Sequence, residues 1–183
     1  IEIPEREINA KPIFLVARSF DINRPGTQIK DLHGGVLGGI LRQGKLKVGD
    51  EIEIKPGLSA KKNNQWTYKT LVTKIISLYK GSNSVKEIYP GTSISIETEL
   101  DPFLTKTDSL IGCLTSTKGD LPNITYKIKL KVKLFKETFS GAELQQIAPI
   151  KSNELLMLSV NTAITVGTVE KIKNDEVELN LNI

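Results

Sequence analysis

Period two dominates this chain. Residues 47–54 (Lys47-Val48-Gly49-Asp50-Glu51-Ile52-Glu53-Ile54) alternate polar and apolar side chains after a Gly-Asp turn. Residues 71–78 and 92–98 are rich in β-branched side chains, and 13–17, 124–134, 155–160 and 176–181 continue the pattern. Alternation puts apolar side chains on one face and polar ones on the other, as half-buried antiparallel strands require. Turn residues punctuate the runs: Pro25-Gly26, Pro56-Gly57, Pro90-Gly91, Gly119-Asp120 and Asn174-Asp175. Many short strands at this spacing predict all-β barrels or sandwiches. Only residues 85–89 and 140–147 invite a helix, each about a turn or two at most. With no strand–helix–strand rhythm, a doubly wound parallel sheet is excluded.

The turn-rich stretch 118–123 (Lys118-Gly119-Asp120-Leu121-Pro122-Asn123) reads as a junction. Residues 1–9 then form a linker, 10–119 a first barrel and 120–183 a second. The second is short for a closed barrel, so it is expected to be incomplete. The N-terminus lacks a start methionine and a signal-peptide core, so the chain is expected to be a piece of a longer protein. One cysteine, Cys113, rules out an internal disulfide. Its apolar flank predicts a buried, inert thiol, and a reducing compartment is the default. No apolar run approaches the ~20 residues needed to span a bilayer as a helix. A net charge of +4 permits an anionic partner such as RNA without demanding one.

Two fragments imitate a GTPase. Asp31-Leu32-His33-Gly34 matches D-x-x-G, and Thr105-Lys106-Thr107-Asp108 matches the guanine-reading T-K-x-D. The phosphate-cradling G-x-x-x-x-G-K-[S/T] is missing, so both are read as coincidence and no catalytic residue is assigned. His33, the only histidine, lacks partners at metal-ligand spacing and is placed on a surface loop.

Four stretches carry more weight. Gly34-Gly35-Val36-Leu37-Gly38-Gly39 marks either a bulge or a surface where a ligand approaches bare backbone. Residues 18–26 (Arg18 to Gly26) end a strand with two arginines and Phe20, which can pair with phosphate and stack on a base. Lys127, Lys129, Lys131 and Lys133 make one strand face wholly basic: a solvated, edge-blunting face or a phosphate-facing one. Trp66 and Tyr68 alternate on a strand, and 61–65 reads as a polar hairpin tip.

Together these stretches resemble the gamma subunit family of archaeal and eukaryotic translation initiation factor 2. Residues 18–26, 34–39, 47–57, 100–108 and 153–157 match it in order and spacing. The resemblance implies an elongation-factor-like (translation-protein) β-barrel followed by a partial second barrel, downstream of a GTP- and Mg-binding domain that this chain does not contain. It implies binding of the aminoacylated 3′ end of methionyl initiator tRNA by Arg18, Phe20, Gly34, Gly35, Val36, Gly38 and Gly39. It also implies docking of the alpha subunit on Asp21, Asn23, Arg24, Pro25, Gly26, Pro56, Gly57 and Trp66. The beta subunit and the small ribosomal subunit would be reached through the full-length, cytoplasmic heterotrimer. Residues 90–99 depart from the family's glycine-rich pattern, and the added Glu97 and Glu99 would repel phosphate. Two alternatives stand beside this reading: the barrels of another translational GTPase, of elongation-factor or selenocysteine-specific type, or a stand-alone scaffold.

Overall fold

The computed structural model describes residues 5–62, 65–140 and 143–181. They form two compact units, Ile1–Ile124 with Asn161–Ala163, and Thr125–Val160 with Ile164–Ile183.

In the first unit the strands are β1 (Ile13–Phe20), β2 (Val36–Gln43), β3 (Leu46–Lys47), β4 (Glu51–Lys62) and β5 (Gln65–Lys80). After them come β6 (Asn83–Val85), β7 (Glu87–Ile88), β8 (Ser93–Thr98) and β9 (Leu114–Thr117). The main sheet runs β4-β9-β1-β2-β8-β5-β6, and β4 also pairs with β5. That second pairing closes a barrel of six strands, which removes the exposed edges an open sheet would carry.

Alternation read from the sequence becomes the barrel interior. Phe14 and Val16 on β1, Leu37 and Leu41 on β2, Ile52 and Ile54 on β4, and Ile94 and Ile96 on β8 are buried together. Each pair is two or four residues apart on its strand, so each points to the same face. Cys113 joins this core, and burial pushes its thiol pKa up, which keeps it protonated and unreactive.

A carboxylate is buried at the base of the barrel. Glu53 accepts a hydrogen bond from the Leu121 amide at 2.7 Å and faces Lys55 Nζ at 3.5 Å. Lys55 in turn donates to the carbonyls of Leu121 (3.0 Å) and Pro122 (3.2 Å). The turn-rich stretch 118–123 is thus stitched to β4 through side chains.

In the second unit β10 (Lys127–Lys131), β13 (Leu155–Val160), β14 (Ala163–Lys173) and β15 (Glu176–Leu181) form a sheet in the order β10-β15-β14-β13. Its buried core is small: Val169, Val177 and Leu179, flanked by half-buried Ile128, Leu130 and Leu158. β11 (Glu137–Ser140) and β12 (Glu143–Gln146) make a separate hairpin.

Both helical expectations are overturned. Residues 85–89 hold the end of β6 and β7, whose Ile88 is buried and pairs with Leu46. The described part of 140–147 belongs to the β11–β12 hairpin, where Phe139 faces Leu144 across the strands. Cross-strand pairing overrides a weak local preference in segments this short. The hairpin tip expected at 61–65 includes residues 63 and 64, which lie outside the described residues.

Three of the four lysines of the comb prove to be ion-paired. Lys127 meets Glu170 (2.8 Å), Lys129 meets Glu176 (2.7 Å) and Lys131 meets Asp175 (3.3 Å). Glu176 beside Lys129 raises that lysine's pKa. These exposed pairs contribute little stability, but they offset much of the positive charge on the face that phosphate would otherwise meet.

Candidate functional site

The barrel wall formed by β1, β2, β8 and β5 sets side chains in rows. Register places Arg18 opposite Gly38, Gly38 opposite Ser95, and Ser95 opposite Tyr79. One step along, Phe20, Val36, Glu97 and Ser77 align in the same way. Intervening residues Leu37, Ile96 and Leu78 are buried in the core, so both rows share the outer face. A methyl added at Gly38 would meet nothing closer than Arg18 Cβ at 3.4 Å and the Phe20 ring at 3.7 Å. Gly38 therefore leaves a shallow slot between an arginine and an aromatic ring.

The other glycines of the cluster serve the chain itself. A Cβ on Gly34 would lie 1.7 Å from the Thr98 carbonyl oxygen, and one on Gly39 would lie 1.9 Å from that of Leu15. At Gly35 the obstacle is the Thr105 side chain at 2.5 Å. Val36 is buried. Of the residues assigned to a 3′-end surface, the structure brings together Arg18, Phe20 and Gly38 as an accessible group.

Glu97 lies in the same wall, and its carboxylate is hydrogen-bonded. Its carboxylate accepts from Ser77 Oγ at 2.5 Å and lies 2.8 Å from His33 Nδ1. His33 closes the loop between β1 and β2. Within that loop the Asn23 amide acts like a strand: Nδ2 donates to the His33 carbonyl (2.8 Å), and Oδ1 accepts from the His33 amide (2.7 Å). Asp21 accepts from the Asn23 amide at 2.8 Å, which leads the effects holding its pKa below the usual carboxylate range. So pinned, the loop projects Ile29 with 89% of its surface exposed, beside exposed Ile22, Leu32, Arg24, Pro25 and Gly26.

The hairpin assignment divides. Gly57 is buried in a bulge where the backbone turns at φ +84°, and Pro56 is half-buried; Trp66 is the exposed member. A cleft of about 520 Å³ separates this hairpin from residues 103–109, with Leu58, Tyr68, Phe103 and Lys106 among its walls.

Sequence reasoning missed the segment Pro102–Asp108, a 3-10 turn broken by a kink at Lys106 and Thr107. Its signal was present: Asp101 accepts from the Phe103 amide as an N-cap, and Pro102 occupies the first position. This segment holds the T-K-x-D fragment and explains it structurally. Thr105 Oγ1 donates to the Phe20 carbonyl at 3.0 Å. Asp108 accepts from Arg18 Nε (2.9 Å) and from the Ser19 amide (2.9 Å). Asp31, of the other fragment, lies exposed in a single 3-10 turn. The T-K-x-D carboxylate is thus engaged by the barrel itself, through Arg18 and the Ser19 amide.

The closed six-stranded wall and its loops define a barrel of the elongation-factor class. The solved bacterial selenocysteine-specific elongation factor superposes with TM-score 0.69 over 99% of this chain and 25% of that one, at 15% identity, a likeness of fold alone. Residues 126–183 match the family described as initiation factor eIF2 gamma, C terminal. Along all 183 residues the chain is 45% identical to translation initiation factor 2 subunit gamma of Methanococcus maripaludis, covering 45% of that protein. It is 44% identical to the proteins of that name from Methanocaldococcus jannaschii and Pyrococcus furiosus, covering 44% of each. Along its whole length the chain is similar to translation initiation factor 2 gamma subunits, and it spans less than half the length of these relatives.

Proposed function

We propose that this chain is a tRNA- and subunit-binding module in translation initiation, working by recognition and not by catalysis. Within a full-length GTPase in the cytoplasm, it would help deliver methionyl initiator tRNA to the small ribosomal subunit. The alpha subunit would dock on the first barrel, and the beta subunit would join through the whole protein. Identity to gamma subunits along the whole chain is the observation behind this reading. The open Arg18–Gly38–Phe20 group suits a nucleotide, with guanidinium for phosphate and a ring for stacking. The pinned loop with exposed Ile22, Ile29 and Leu32 suits a protein partner.

Fluorescence anisotropy with 5′-labelled methionyl initiator tRNA tests the RNA half. Saturable binding is expected, weakening about tenfold between 50 and 200 mM salt as a few phosphate contacts are screened. Binding that is absent at 50 mM salt, or insensitive to salt, would contradict it.

A further inference from the structure

Asp108 lies outside every residue group assigned to RNA, and its charge is of the wrong sign to meet RNA. We infer that Asp108 is a positioning residue that aims Arg18 at the phosphate of the bound 3′ end; this rests on the tRNA-binding reading above.

The geometry is specific. Arg18 uses Nε alone to bind both Asp108 oxygens, at 2.9 and 3.0 Å. Nε lies inboard of the two terminal amino groups. Those groups carry four of the guanidinium's five N–H donors, in the fork that suits phosphate. The Arg18 side chain is 67% exposed, so without a tether it would sample many rotamers. Asp108 is itself anchored, since it accepts from the Ser19 amide, and Ser19 Oγ accepts from the Leu110 amide at 3.0 Å. Thr107 and Asp108 adopt left-handed backbone, with φ of 52° and 59°. That turn swings the carboxylate back onto β1. The Arg18 hydrogen bond is also the first cause of the lowered Asp108 pKa, so the carboxylate stays charged across the neutral range.

The consequence runs against simple electrostatics. Removing a negative charge near an RNA site should strengthen binding. If Asp108 acts by aiming Arg18, removing its charge should weaken binding. Asp108→Asn is the suitable variant, because Asn tolerates left-handed backbone and keeps an acceptor for the Ser19 amide.

The test is a double-mutant cycle on this chain, read by anisotropy with 5′-labelled methionyl initiator tRNA and checked by thermal melting. Asp108→Asn should weaken binding about fivefold, and Arg18→Ala at least as much, with melting temperatures near that of the parent. Arg18→Ala/Asp108→Asn should bind like Arg18→Ala alone. Unchanged or tighter binding by Asp108→Asn, while Arg18→Ala is weakened, overturns the positioning role and leaves the tRNA reading intact. Additive losses in the double variant overturn it too. Failure of the parent to bind, or parent-like binding by Arg18→Ala, overturns both the positioning role and the Arg18 contact.

Discussion

Gly39→Ala is expected to destabilise the first barrel by about 3 kcal/mol, the upper end of what overpacking costs. The reason is the 1.9 Å separation between the new methyl and the Leu15 carbonyl oxygen. The obstacle is backbone, so no side-chain rotation relieves it. Val16 pairs with Gly39, and the ladder shifts between Val16 and Arg18, so β1 must move away from β2 at a bulge. Gly38→Ala, one residue away, meets only ordinary contacts and should stay within about 0.5 kcal/mol of the parent. Thermal melting separates the two, with a fall on the order of 10 °C for Gly39→Ala and almost none for Gly38→Ala. Equal melting temperatures would refute the idea that Gly39 is spent on packing between strands.

Glu53→Ala should cost about as much, near 3 kcal/mol, because it strands buried partners. Loss of the carboxylate leaves the Leu121 amide without its acceptor and Lys55 without its counter-charge. Burial alone would raise the Glu53 pKa. Hydrogen bonds from the Leu121 and Gly119 amides, with Lys55 nearby, outweigh it, and the net direction is downward. A folded pKa below the unfolded one, about 4.3, means the contribution is fully present above that value. It is lost as pH falls through the folded pKa. Urea unfolding of the parent and Glu53→Gln should therefore differ at pH 7 and converge in strong acid. A gap that is constant with pH would show that the carboxylate's charge is irrelevant.

Strand identity was legible in the sequence because the barrel interior is written at period two. Phe14 and Val16, Ile52 and Ile54, Ile94 and Ile96 announce their shared face without any tertiary information. Closure was not legible at the residue level, since it depends on β4 pairing with both β9 and β5. Nor could the roles of the glycines be sorted. Gly38 and Gly39 are adjacent and chemically identical, and only the position of Leu15's carbonyl tells them apart. Asp108 was hidden for a similar reason. Its partner Arg18 lies 90 residues away, and its left-handed backbone has no distinctive letter. Glu97 reads as a free carboxylate from the sequence, and only the structure shows Ser77 and His33 hydrogen-bonded to it. Residues 140–147 read as helix from sequence because pairing between strands, here of β11 with β12, leaves a weak local imprint.

If this chain is a recognition module of an initiation factor 2 gamma protein, it should hold its alpha partner without help from a GTP-binding domain. Isothermal titration calorimetry against the purified C-terminal domain of an archaeal alpha subunit tests that most directly. Saturable 1:1 binding is predicted, lost when residues 21–33, which carry exposed Ile22, Ile29 and Leu32, are replaced by a short turn. No heat of binding from a chain shown to be folded would contradict the claim.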